Sequence, residues 1–501
     1  MLTRLKVSGF KNLDGLDVHL GPFTCIAGAN GVGKSNFFDA IHFLSALADK
    51  SLLEAAISVR GGDGRGGDVR NLFTRGGGES SDEMSFLVEM VIPATGESPL
   101  GQRAEAAATY LVYSLKLRYR STEANRTLGG IELVHEDMAY IKRAEAAAQL
   151  GFRHSPKWRE SVILGRRTSK FISTDDTEGS LRVRLHADAG AGSGGRPRSA
   201  PASGLPRTML STVTDASEHR TLVLARQEMM SWVQLQLEPS KLRAPDVFTA
   251  PHSVDATGGH LPATLYHLAQ AASQVNADGA ADIYMKVANR LGELIDDVDS
   301  IGVDVDNKRQ ALSILMTDRA GTAHLANALS DGTLRFLALA VMAVDPAPMA
   351  LVCLEEPENG MHPKRIPAML RLLKDLAVDV QEPVGPDNPF RQVIINTHSP
   401  SVVAEVEDDC LLVAVGSPGI VAGKRIARLD LRPLPSTWRD RVDPPIVTVA
   451  KGDLLDYLNP IRPHDVERDD EEGYASKAKQ PGKRSRKVKN RDDMQLLLPT
   501  L

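Results

Sequence analysis

Apolar and polar residues alternate along LTRLKVSGFKNL (2–13) and LDVHL (16–20), which predicts antiparallel strands at the head of the chain. A short apolar run, Phe23 to Ala27, enters a glycine-rich turn, and helical spacing follows from Ser35 to about Leu53. Glycine-rich loops come next, RGGDGRGGD (60–68) and TRGGGESSD (74–82). Strands are expected to return at MSFLVEMVI (84–92), TYLVYSLKLRYR (109–120) and GIELVHEDMAYI (130–141). Residues 187–207 are small, rich in glycine and proline and nearly free of large apolar groups. They cannot bury enough surface to offset the entropy of ordering, so a flexible loop is expected there. Helical patterns dominate 215–238 and 262–296. From 301 strands resume (IGVDVD, ALSILMTD), and then helix and strand alternate. A helix runs from Gly332 to Ala343, a strand ends in Glu355, a helix covers 364–380, and QVIINT (392–397) is a strand. Such alternation predicts an α/β layer with parallel pairing, where ligands collect at the carboxyl ends of the strands.

Composition limits the class. The 501 residues are 42% hydrophobic and 25% charged, as in an ordinary soluble globular protein, and suffice for two or more lobes. No run of about 18 apolar residues occurs, and MLTRLKVSGF lacks the apolar core of a signal peptide, so a cytoplasmic protein with no membrane partner is expected. A net charge of -5 carries no global nucleic-acid signature, and any basic surface must be local. Cys25, Cys353 and Cys410 each lie in an apolar run without ligand spacing, which argues against a disulfide scaffold or a zinc site. After about 460 the chain turns acidic (ERDDEEG), then basic (KAKQPGKRSRKVKNR), and ends in MQLLLPTL; a disordered tail is expected. No repeat and no sustained heptad pattern is evident.

Chemistry enters at GANGVGKS (28–35), a full G-x-x-x-x-G-K-[ST] match between a strand and a helix. In such a loop backbone N–H groups turn inward around phosphates, and the helix start adds its positive dipole. Lys34 would neutralise phosphate oxygens and Ser35 would ligate Mg2+. A second strand must then bring a carboxylate to the metal, and LVCLEEPENGMHP (351–363) supplies two. Successive strand residues face opposite sides, so Glu355 and Glu356 serve different chemistry. Glu355 would hold the metal through water, and Glu356 would orient or deprotonate the attacking water. LANALSDGTLR (325–335) opens a helix with Ser330 and Gly332, and IINTHSP (394–400) ends a strand in His398.

Together, GANGVGKS, LSDGT, LEEPENG and NTHSP resemble the ATPase head of the ABC/SMC superfamily. The opening LKVSGFKNLDGLDVHLGPFTCIAGANGVGKSN and the segment CLEEPENGMHP resemble the RecF/SMC-like AAA-family ATPases of prokaryotes, the AAA_21-type proteins. The resemblance covers roughly 1–60 and 325–416. It implies an α/β fold, an ABC/SMC-type P-loop head with mixed and parallel sheet, an antiparallel N-terminal lobe and an α/β insertion. The expected division is an N-terminal lobe over 1–100, an insertion over 101–310, a C-terminal lobe over 311–460 and a charged tail over 461–501. ATP and Mg2+ are the implied cofactors. Gly28, Ala29, Asn30, Gly31, Val32, Gly33, Lys34 and Ser35 would form the Walker A loop, followed by Asn36. Ser35 and Glu355 would hold the metal, Glu356 would be the catalytic base, and His398 would sense the γ-phosphate. Ser330 to Thr333, with Gly332, would be the signature motif that meets the nucleotide of a second copy. ATP would thus join a homodimer, alone or within a higher oligomer, and hydrolysis would part it.

The chain departs from that pattern. Asp331 makes the signature SDG rather than SGG, no glutamine falls between Asn36 and Gly101 where a Q-loop is expected, and long coiled-coil arms are absent. A role in DNA repair, maintenance or DNA-linked defence would need basic surface, for which RRTSK (166–170), SLRVRLH (180–186), LRYR (117–120) and the tail are candidates. The alternative is a regulatory ATPase of an antiphage or toxin–antitoxin-like system, controlling a separately encoded effector protein. A transporter subunit fits poorly, because the phosphate loop comes early and the gap to LSDGT is long.

Overall fold

The computed structural model describes residues 1–59, 68–76, 79–120, 130–167, 169–177, 179–188, 198–346, 349–421, 423–442, 446–449 and 487–488. Alternation near the start builds what it predicts. Strands Leu2–Ser8 and Leu16–His19 pair antiparallel at one side of an eight-stranded sheet. Its order continues through Glu83–Val91, Tyr110–Arg120, Gly130–Tyr140, Ile172–Thr177, Ser180–Leu185 and Arg198–Pro201, every neighbour antiparallel. Leu5 and Val7 are buried, whereas Arg4 and Lys6, which alternate with them, reach to Asp17. Strands on both sides of residue 100 share this one layer.

The second sheet has six strands in the order Trp232–Leu235, Leu351–Glu355, Gln392–Thr397, Phe23–Ala27, Leu411–Val421 and Lys424–Pro433. The first five run parallel and the last is antiparallel. Both faces are covered, which is why these strands read as continuous apolar runs. Ile26, Leu351, Cys353 and Ile394 face the helix Lys34–Leu47 and the eight-stranded sheet. Cys25, Val352, Leu354, Val393 and Ile395 face the helices Asp331–Val344, Ile366–Leu376 and Pro400–Glu405. A smaller sheet (Asp246–Val247, Val298–Asp306, Ala311–Asp318, Ala323–Leu325) packs with helices Leu261–Val275 and Gly279–Gly292.

Several expectations are refined. The first helix ends at Leu47, and a capping box of Ser51 and Glu54 starts a second, Leu52–Ser58. The 215–238 stretch divides into the helix Arg220–Met230 and the strand Trp232–Leu235, because WVQLQL has period 2 rather than 3.6. Of the expected flexible loop, 189–197 lies outside the described residues, whereas Arg198–Pro201 adds an edge strand. The glycine-rich 60–67 and 77–78 also lie outside them, as does the tail after 460 except Lys487 and Val488. Val488 is buried, and its N–H bonds to the Val406 carbonyl at 3.0 Å. No helix among the described residues is long and apolar enough to cross a membrane.

Candidate nucleotide site

The glycine-rich turn leaves the central strand Phe23–Ala27 beside the ends of its parallel neighbours: Thr397 pairs with Ala27, and Asn396 with both Ile26 and Glu355. Strands lie about 4.8 Å apart, so the turn, the acid pair and His398 collect at one sheet edge. Gly28 N–H bonds to the Thr397 carbonyl at 3.2 Å. A Cβ at Gly28 would sit 2.8 Å from that of Ala414, so the strand-to-turn exit admits no side chain. Gly31 and Gly33 have φ of 80° and 110°, the left-handed backbone that glycine takes without cost. Ala29, Asn30 and Gly31 form the exposed tip, Val32 and Gly33 return to the body, and the helix begins at Lys34.

Asn12 braces this turn. Its Nδ2 donates to the Val32 carbonyl at 3.0 Å, and its Oδ1 accepts from Asn36 Nδ2 at 2.8 Å. The Lys34 ammonium donates to the Gly28 and Ala29 carbonyls at 2.6 and 2.9 Å, which aims it across the inside of the loop. Burial holds its pKa below the ordinary lysine value, while Glu356, Glu355 and Glu358 oppose that shift through their charge. Lys34 therefore lies in the field of all three carboxylates. Ser35 follows in the first helical turn, half-buried.

The two acids separate as strand parity requires. Glu355 is the last residue of its strand and continues the side of Leu351 and Cys353, toward the loop's helix; its carboxylate is exposed. Glu356 leaves the strand at φ 47°, a left-handed conformation costly for a residue with a Cβ. Its N–H bonds to the Asn396 carbonyl and side-chain oxygen at 3.0 and 3.1 Å. Both carboxylate oxygens are held: Oε1 lies 2.6 Å from His398 Nδ1, and Oε2 accepts from Asn359 Nδ2 at 2.7 Å. The result is a half-buried carboxylate of fixed direction, able to take a proton from a water at the sheet edge.

Sequence reasoning missed further residues here. Gln234 Nε2 donates to Glu355 Oε1 at 3.1 Å, so a glutamine does reach the first acid of the pair, from the neighbouring strand and not from the interval after Asn36. Its signal was the alternation of WVQLQL. Glu358 is buried and bonded to Thr397 Oγ1, with burial raising its pKa. A cleft of about 320 Å3 beside the pair is lined by Gln236, Arg335, Leu339, Glu355, Glu356 and Asn359.

The signature residues contact the far end of the Glu356 turn. Ser330 caps the helix Asp331–Val344 by accepting from Thr333 N–H at 3.2 Å. Gly332 packs on this turn, where an added Cβ would lie 2.9 Å from the Gly360 carbonyl. Arg335 Nη1 donates to the Asn359 carbonyl at 2.9 Å, so Asn359 links the acid to the signature helix. Asp331 forms a 2.5 Å ion pair with Arg243. Among the described residues no group of three or more His, Cys, Asp or Glu side chains could hold a metal ion alone. Ser35 and Glu355 are oxygen donors of the kind Mg2+ takes beside phosphate and water.

The sequence matches the AAA_21 family model, described as AAA domain, putative AbiEii toxin, Type IV TA system, over residues 23–95 and 261–404. No curated protein matches it. Solved structures that resemble the fold include an SMC head bound to the C-winged helix domain of ScpA, at 13% identity and TM-score 0.41, covering 86% of this chain and 98% of that one. The SMC head domain from Thermotoga maritima gives 12% identity and TM-score 0.36 over 86% and 98% of the two chains. An SMC head with an extended coiled coil, bound to the C-terminal domain of ScpA derived from Pyrococcus furiosus, gives 12%, 0.38, 86% and 96%. The phosphate loop falls in one matched block, and the LSDGT segment, the acid pair and His398 in the other, so the residues gathered at this sheet edge lie within the stretches similar to the AAA_21 family.

Proposed function

We propose that this protein hydrolyses ATP to ADP and phosphate at the loop Gly28–Ser35, with Glu356 as the base. The observation that carries this reading is the Glu356 carboxylate, clasped on both oxygens by His398 and Asn359 within the field of Lys34. A water attacks the γ-phosphorus, Glu356 takes its proton, and the bond from that phosphorus to the ADP oxygen breaks. Ser35 and Glu355 would hold Mg2+, which when bound offsets the charge that develops on the phosphates. Gln234 orients Glu355 for that task. An ionised carboxylate only accepts, so His398 Nδ1 carries the proton in its bond to Glu356. Contact between Nε2 and a phosphate oxygen then needs the doubly protonated ring. Ser330 and Gly332 meet the nucleotide of a second copy, so ATP joins a two-fold pair and hydrolysis releases it.

Glu356→Gln tests this. Phosphate release should stop, ATP binding should persist, and ATP-bound pairs should accumulate by light scattering. Turnover near the unaltered rate would remove Glu356 as the base.

As the load we favour a separately encoded protein effector over direct DNA handling. Four basic side chains of the middle block are paired at home. Arg118 pairs with Glu83 at 2.7 Å, Arg167 with Asp188 at 3.3 Å, Arg184 with Asp175 at 3.6 Å, and Lys170 with Asp137. Arg167 also lies over the Phe171 ring. With these charges offset by neighbouring acids, the middle block carries less of the net positive surface that a phosphate backbone needs. The similarity to a family described as putative AbiEii toxin, Type IV TA system, supports the same reading. ATP turnover with and without DNA at two salt concentrations separates the readings: stimulation that fades with salt would restore DNA handling.

A further inference from the structure

An acid at the second signature position ought to repel a phosphate, yet Asp331 does not stand alone. Arg243 Nη2 donates both to Asp331 Oδ1 at 2.5 Å and to the Leu329 carbonyl at 3.0 Å, so one guanidinium straddles Ser330 from either side. Arg243 ends the short turn Pro239–Leu242, which Leu242 anchors fully buried in the core. Both bonds leave from Nη2, and among the described residues Nε and Nη1 make no further hydrogen bond. The Arg243 and Asp331 side chains are 29% and 55% exposed, so the fork is presented to solvent at the signature surface.

We propose that Arg243 binds the γ-phosphate of the nucleotide held by the second copy, and that Asp331 is the positioning residue that aims it. This rests on the pairing reading above. A guanidinium is planar and always charged, and with Nη2 engaged at home its Nη1 and Nε N–H groups remain as donors that suit phosphate oxygens. Asp331 then replaces a bare glycine surface by a carboxylate that holds an arginine in place. The pair carries no net charge, yet it keeps the Nη1 and Nε N–H groups as donors for an arriving phosphate.

The test places Arg243→Ala, Asp331→Gly and the double change in the Glu356→Gln protein, and measures the ATP-dependent pair by light scattering over a concentration series. Binding of a fluorescent ATP analogue to dilute monomer, and a thermal melt, check that each variant is folded and loaded. Arg243→Ala should weaken pairing by about 30-fold or more, leave monomer binding unchanged, and stay as weak when Asp331→Gly is added. Arg243→Lys, which keeps the charge but loses the fork, should recover only part of the loss. If Arg243 merely cancels Asp331, the double variant will pair as tightly as Asp331→Gly alone, and the proposal falls. Equal pairing by Arg243→Ala and its parent overturns the Arg243 assignment but leaves ATP-driven pairing standing. A parent that stays monomeric in ATP removes the pairing reading itself, and this proposal with it.

Discussion

Asn359→Ala isolates the clasp on the acid. The side chain donates to Glu356 Oε2 at 2.7 Å, whereas the bond from Arg335 goes to the Asn359 backbone carbonyl and survives truncation. A hydrogen bond to a charged acceptor contributes about 1.5–3 kcal/mol. Asn359 is exposed and the Glu356 side chain is 28% exposed, so water screens the bond. The low end, about 1.5 kcal/mol, is then the better figure. About 1.4 kcal/mol of barrier is tenfold in rate, so kcat should fall roughly tenfold. ATP affinity should hold, because Asn359 bonds to Glu356 and Arg335 and not to the loop. Steady-state phosphate release gives kcat, and titration with a fluorescent ATP analogue gives affinity. A kcat unchanged within twofold, or a loss carried wholly by ATP affinity, would refute the clasp.

Other expectations rest on separate contacts. Glu136 is fully buried and accepts from Met209 N–H, Leu210 N–H and Tyr113 O–H, yet burial pushes its pKa from 4.5 up to about 7. A raised folded-state value favours the fold below about 4.5, and that contribution is lost as pH rises through about 7. Denaturant melts should lose about 3 kcal/mol between those limits, and Glu136→Gln should flatten that slope; an unchanged slope would clear Glu136. Gly33→Ala would force a side chain into φ 110° with its Cβ 2.2 Å from Asn12 Nδ2. It should abolish ATP binding by calorimetry, and adding Asn12→Ala should not restore it, because the backbone conflict stays. Gln234→Ala should move the Mg2+ titration of turnover to higher concentration without changing metal-free ATP binding; superimposable Mg2+ curves would deny Gln234 a role.

What could be read along the chain is what lies close along the chain. GANGVGKS needs only its own glycines and the elements on either side, and LVCLEE carries strand parity within itself, so the sheet edge where they meet was foreseeable. Partners brought in by tertiary pairing were not. Asn12 meets Gly33 only once the Leu2–Ser8 strand is seated, and Arg243 meets Asp331 from 88 residues away. Gln234 escaped for a different reason. Helical spacing in Arg220–Met230 masks the short alternation of WVQLQL, and this strand lies far beyond the interval from Asn36 to Gly101. The chain returning at Lys487 and Val488 also had no local signal, since one valine in a basic run resembles any solvated residue.

Glu356 holds a left-handed backbone, and that has a consequence for laboratory evolution. Glycine at 356 would shed a conformational penalty on the order of 1 kcal/mol, so heat-challenge libraries screened only for surviving folded protein should enrich it. Such survivors would be sturdier and chemically inert. Selection for robustness and selection for turnover thus pull this one codon in opposite directions, and only a screen that scores phosphate release can keep the acid.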